Sequence, residues 1–415
     1  MIMKNVFVYA DWCIYEMPQL IGQLYFSSLR GKTVYSFEYN KEWLKTGISI
    51  DPELPLFPGI HYASSNDNFG IFKDSSPDRW GQLLMKRREM LLSKIEKREP
   101  HTLFGIDYLL GVHDNHRMGG LRFKETENGD FLSNDDKLAI PPWTSLRDLE
   151  YAVGQYERNA DELDKNSLKW INQLIAPGSS LGGARPKADV ADTKGKQWIA
   201  KFPSKSDDSD VGLWEMIVHD LAIQAGITVP NASVKKLGSS YHTYLSQRFD
   251  RTDDKRRIHY ASAMTLLQKT DGDDADSGVS YLDLVAFIKS ECNDVKANLT
   301  ELFRRVLFSV CVSNTDDHLR NHGFLYTKAG WTLSPAFDIN ANETGTGLKL
   351  NINETDNSLN IDLVMNTAPF YLLSDEQAKE IKGEVCNAVS QWREVALRYK
   401  ASSAETAQKM KAFRY

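Results

Sequence analysis

A chain of 415 residues, 41% of them hydrophobic, can bury a large core and divide into two or three domains, which excludes a disordered protein. Its net charge of -6 argues against general nucleic-acid coating, and its four cysteines, Cys13, Cys292, Cys311 and Cys386, form no Cys-x-x-Cys pair that would signal zinc or a redox centre. The expectation is a cytoplasmic protein: the stretch from Met1 to Met17 is interrupted by Lys4, Asp11 and Glu16, unlike a signal peptide, and no apolar run reaches membrane-spanning length.

In chain order, the patterns at 6–9, 22–26 and 33–39 predict three strands and hence a small sheet. Asp74-Ser75-Ser76-Pro77-Asp78 then offers capping residues for a helix whose apolar face is Leu83, Leu84, Met85, Leu91, Leu92 and Ile95. Lys86, Arg87, Arg88, Lys94, Lys97 and Arg98 decorate it, as a solvated face or as a contact for nucleic acid or an acidic partner. Polar and proline-rich sequence between Phe131 and Pro142 marks the expected division into domains 1–140 and 141–415, the latter split into lobes of about 141–250 and 251–415.

The segment Gly178-Ser179-Ser180-Leu181-Gly182-Gly183-Ala184-Arg185-Pro186-Lys187 combines small residues with positive charge. Backbone amides there can approach an anion closely, although the pattern is neither Gly-x-Gly-x-x-Gly nor a Walker loop. A hairpin is predicted next, with Lys201 among apolar residues on its second strand, where a kinase carries its phosphate-holding lysine. On the helix predicted from Gly212, Glu215 lies beside Val211, Val218 and Ala222; it is either a rim residue or the partner of Lys201. The stretch from His242 to Arg251 reads as a strand in the position of a nucleotide hinge.

The acidic run Thr270 to Gly278 fails as an EF-hand, because Ala275, Asp276 and Leu282 fall where a ligand, Gly and Glu are required; it reads as a mobile surface loop. An apolar helix from Leu302 to Val312 delivers the chain into Ser313-Asn314-Thr315-Asp316-Asp317-His318-Leu319-Arg320-Asn321-His322-Gly323, followed by a short hairpin and Asp338. Asp316 and Asn321 keep the Asp-x-x-x-x-Asn spacing of a kinase catalytic loop, and Asp338 stands where a metal-binding Asp belongs. No His-Arg precedes Asp316, and Ile339-Asn340 replaces Phe-Gly.

Together, Ser180 to Lys187, Arg248-Phe249-Asp250-Arg251, Asn314 to Phe324 and Leu333-Ser334-Pro335-Ala336-Phe337-Asp338 resemble the HipA family of bacterial serine/threonine kinases, toxins of HipA–HipB toxin–antitoxin modules. Asp78-Arg79-Trp80-Gly81, Asp107 to Gly111 and Arg117 to Phe123 extend the resemblance towards the N-terminus. The resemblance implies an α+β chain with a small β-rich N-terminal domain and a kinase-like domain whose C-terminal lobe is mostly helical. It implies ATP and Mg2+ as cofactors, Asp316 and Lys201 as catalytic residues, and Asn321 and Asp338 as metal ligands. The nucleotide-binding set would be Ser180, Gly182, Gly183, Ala184, Lys187, Lys201, Glu215, Gln247, Phe249 and Asp250, with Ser180 the autophosphorylated serine. Arg257-Ile258-His259-Tyr260 departs from the family pattern. Implied partners are a HipB-like helix-turn-helix antitoxin, DNA through or alongside it, and a protein substrate, with a translation component following by analogy; no membrane is involved. A small-molecule or lipid kinase, and a catalytically weak co-repressor, are the alternative readings.

Overall fold

Alternating apolar residues build the first sheet of this computed structural model, which describes residues 4–29, 32–64, 68–133, 140–158, 165–175, 183 and 185–415. β1 (Lys4–Ala10), β2 (Gln19–Leu29), β3 (Lys32–Tyr39), β4 (Ile60–Tyr62) and β5 (Leu121–Lys124) form an antiparallel sheet in the order β4-β3-β2-β1-β5. The inward-facing Val6, Val8, Leu24, Phe37 and Phe123 are buried, as the period of two along a half-buried strand requires. The helix Arg79–Glu96 is capped by Asp78, whose Oδ1 accepts the Gly81 N–H at 2.9 Å. Of the capping choices offered by the sequence, the chain uses the one after Pro77.

Two units divide the chain. The first comprises Met1–Ser206, Leu237–Ser239 and Asp250–Ala261, and the second Asp207–Lys236, Ser240–Phe249 and Ser262–Tyr415. Besides the five-stranded sheet, the first unit contains the helices Leu146–Arg158 and Lys165–Ile175 and the hairpin of β6 (Lys187–Ala191) and β7 (Gln197–Lys201). A second feature of that unit joins two sequence motifs. Gly119 has a φ of +73°, and a Cβ there would lie 3.1 Å from the Tyr260 amide nitrogen. The Gly119 N–H donates to Asp250 at 2.8 Å, so only glycine suits this junction.

The second unit is predominantly helical. Its β8 (Ala232–Lys235) and β9 (Thr243–Gln247) pair antiparallel; β10 (His259–Ser262) belongs to the first unit in all but its last residue, and β11 (Gly323–Thr327) and β12 (Gly330–Leu333) form the expected hairpin of the second. At its centre is the helix Val295–Val312. Leu302, Phe303, Val306, Leu307 and Val310 recur at helical spacings and are fully buried, which makes this helix the fixed platform for the loop that follows. Among the described residues no helix is long and apolar enough to cross a membrane.

Candidate active site

The platform helix ends at Ser313, whose φ of 52° turns the chain sharply. The chain's C-terminal residues secure that turn: Ser313 Oγ donates to the Ala412 carbonyl at 2.6 Å, the Arg414 guanidinium donates to the same hydroxyl, and the Arg414 N–H reaches the Cys311 carbonyl at 2.7 Å. Two adjacent carboxylates then part company. Asp316 is exposed, while Asp317 is buried and accepts the Tyr281 hydroxyl at 2.6 Å and the Ser309 hydroxyl at 3.3 Å, with His322 Nε2 3.1 Å away. Burial pushes the Asp317 carboxyl up, but the neighbouring His322 and the two hydrogen bonds from His322 and Tyr281 outweigh it, leaving the pKa below the ordinary value. A carboxylate locked beneath the loop thus holds its neighbour out towards solvent.

Asn321 is the next element. Its Nδ2 donates to the Asp316 carbonyl at 3.0 Å, and its Oδ1 is buried with no hydrogen-bond partner. Such an orphaned acceptor is costly unless something else meets it. The segment carrying Asp338 is drawn to the same place: the Asn340 N–H donates to Asn314 Oδ1 at 3.1 Å, and Asn342 Nδ2 donates to Thr315 Oγ1 at 2.7 Å. Phe337 and Ile339, flanking Asp338, line one small cavity together with Asn321 and Asp317. Asp338 itself has a φ of 59°. One amide oxygen and one carboxylate suit Mg2+, which takes few protein ligands and completes its shell from water and substrate phosphates. Among the described residues no cluster of three or more His, Cys, Asp or Glu could hold a metal ion.

Within the same unit, Gln247 at the end of β9 is fixed by Asn231, which accepts its N–H and donates to its Oε1, both at 2.8 Å. The Phe249 ring packs 5.3 Å from that of Phe337, so the predicted hinge meets the Asp338 segment. Glu215 is buried at 4% exposure on the helix Val211–Gln224.

In the first unit, Lys201 is half-buried at the end of β7. Lys187 is deeply buried: its ammonium donates to Asp78 at 2.7 Å and to the Gly183 carbonyl at 3.5 Å, while the Trp80 indole donates to the Lys187 carbonyl at 3.2 Å. Burial pushes the Asp78 carboxyl up despite the opposing charge of Lys187. Asp250 is fully buried and accepts from the Gly119 N–H and, at 2.6 Å, from Arg251. Ser180, Gly182 and Ala184 lie outside the described residues. Sequence reasoning missed the Asp78–Lys187 pair, the Asp317–Tyr281 bond and the role of Arg414. A buried strand lysine signals the need for an anion, but no local pattern selects one 109 residues away.

Comparison with known proteins bears on the fold and the family. The structure of the HipA, HipB and operator DNA complex from the Shewanella oneidensis MR-1 toxin–antitoxin system aligns over 95% of this chain and 94% of that one, with a TM-score of 0.65 and 19% identity, which establishes a shared α+β fold. The profile of the HipA-like C-terminal domain matches residues 179–393, just over half of the chain. The chain therefore belongs to the HipA family. It is 22% identical over 349 residues to the serine/threonine-protein kinase toxin HipA of Shewanella oneidensis, covering 77% of this chain and 72% of that protein. It is also 28% identical over 180 residues, 39% of this chain, to a Haemophilus influenzae protein named "Putative kinase", and spans about half of that relative's length (52%).

Proposed function

We propose that the protein transfers the γ-phosphoryl group of ATP to a serine or threonine hydroxyl of another protein, and that it acts as the toxin of a toxin–antitoxin pair. The observation that carries this reading is the buried, unpartnered Asn321 Oδ1 beside exposed Asp316. Asn321 and Asp338 would hold Mg2+, which when bound neutralises charge on the phosphates. Asp316 orients the acceptor hydroxyl and takes its proton as the phosphoryl group arrives. Because phosphoryl transfer has a loose transition state, positioning outweighs proton abstraction in this scheme. Lys201 steadies the ATP phosphates, Glu215 belongs to the same nucleotide-binding set, and the backbone of Gln247 and Phe249 meets adenine. Lys187 and Asp250 serve the nucleotide at one remove, Lys187 by holding Gly183 and Asp250 by accepting the Gly119 N–H.

Ser180 is the regulatory autophosphorylation site in this reading: about -1.5 to -2 charges placed in an anion-cradling loop repel ATP. A HipB-like antitoxin is the partner that the Shewanella oneidensis complex supports by analogy, with DNA reached through it. The division into an N-terminal domain 1–140 and a kinase-like domain 141–415 belongs to the same proposal. The test is phosphoryl transfer from labelled ATP to protein acceptors by wild type and Asp316→Asn. Wild-type transfer, lost in the variant without a change in melting temperature, is expected; equal transfer by both removes Asp316 from the mechanism.

A further inference from the structure

The acidic run that fails as a calcium loop forms one wall of a groove. Asp274 and Asp276 line an open cavity of about 360 Å³ whose other walls include Thr315, the loop Thr344-Gly345-Thr346-Gly347 and Lys349. The walls are fastened together. The Ala275 N–H donates to the Lys349 carbonyl at 2.8 Å, and Asn351 Nδ2 donates to the Ala275 carbonyl at 2.9 Å. Gly345 lies so close to the catalytic loop that a Cβ there would fall 2.3 Å from Thr315 Cγ2. Thr315 immediately precedes Asp316 in the chain, so the groove reaches the loop that carries the residue assigned to the acceptor hydroxyl.

We propose that this groove binds the polypeptide segment carrying the acceptor serine or threonine, and that Asp276 selects a lysine or arginine near that hydroxyl. The inference rests on the kinase reading above. Charge favours it: Asp274 and Asp276 face the single cation Lys349, whose ammonium is 3.8 Å from Asp274, and Asp276 is exposed. The lining is polar and rich in threonine and glycine, with Leu348 its one large apolar residue. Small-molecule sites are mostly apolar and enclosed, whereas an open polar trough that reaches the Asp316 loop through Thr315 suits an extended hydrophilic chain.

The experiment compares serine peptides that differ only in whether lysines or glutamates flank the serine, phosphorylated by the full chain as wild type, Asp276→Asn and Asp276→Lys. Wild type should prefer the lysine peptide by roughly fivefold in kcat/KM, with the preference fading in high salt. Asp276→Asn should reduce it and Asp276→Lys reverse it, while ATP-dependent autophosphorylation stays at the wild-type level in both. Equal use of the two peptides, or a preference untouched by Asp276→Lys, overturns the groove assignment and leaves the kinase reading standing. Autophosphorylation with no peptide phosphorylated, or transfer only to small molecules, also overturns it. If no phosphoryl transfer of any kind occurs, the kinase reading fails, and fluorescence anisotropy of the labelled peptides decides the groove. Lysine-dependent binding weakened by Asp276→Lys supports it, and no binding overturns it.

Discussion

Asp317 offers the sharpest test of how the loop is held. Replacing it by alanine strips the Tyr281 hydroxyl of a 2.6 Å acceptor, removes a partner of Ser309, and leaves His322 without the carboxylate 3.1 Å away. All of these groups are buried, so water cannot substitute. Leaving these buried donors without their acceptor, at roughly 1–3 kcal/mol each, costs about 3–5 kcal/mol in all. In a unit of this size that lowers the melting transition by roughly 6–20 °C. Asp317→Asn keeps the shape and one acceptor and should cost about 1–3 kcal/mol. Differential scanning calorimetry of wild type and both variants measures this directly. The pH dependence has a definite sign. Since the folded-state pKa of Asp317 lies below its unfolded value, its contribution is present at neutral pH and is lost as pH falls through and below the ordinary carboxylate range. Wild type and Asp317→Asn should therefore differ most near neutrality and converge in acid. An alanine variant melting within about 1 °C of wild type would refute the claim that this network holds the loop.

Three further outcomes follow from particular residues. Gly119→Ala should destabilise the first unit by about 1–2 kcal/mol from the positive φ alone, with the 3.1 Å approach of Tyr260 adding to it, as urea denaturation would show. Cys386, lowered to about 7 by its hydrogen bond with Cys311, should be alkylated by iodoacetamide at pH 7.5 well before Cys292, which burial pushes up to about 12; peptide mapping reads the order. Asn321→Ala should raise the Mg2+ concentration needed for half-maximal phosphoryl transfer several-fold or abolish transfer, with a stability loss confined to about 0.5–1.5 kcal/mol for the Nδ2 bond to the Asp316 carbonyl, because the lost Oδ1 has no protein partner.

Much of this arrangement is written locally. The strands of the N-terminal sheet follow from alternation, the platform helix from its 3.6-residue period, and the β11–β12 hairpin from the Lys328-Ala329-Gly330 turn. The Asp-x-x-x-x-Asn spacing likewise marks Asp316 and Asn321, since both lie in one short loop. What sequence conceals are contacts made by distant partners. Nothing near Asp317 announces Tyr281, 36 positions earlier, and nothing near Ser313 announces Arg414, 101 positions later. Of the two neighbouring acids, burial alone decides which is structural and which is offered to solvent, and burial is a tertiary property. The acidic run at 270–278 shows the same limit: its composition reads as a solvated loop, yet Ala275 is tied to the Lys349–Asn351 segment.

The central claim is phosphoryl transfer organised by Asp316, Asn321 and Asp338. Its most direct test is the intact mass of the protein after incubation with Mg-ATP, wild type beside Asp316→Asn, with the modified residue mapped. One added phosphate on Ser180 in the wild type alone is the predicted result. No added phosphate in either protein, together with no ATP binding, would contradict the account.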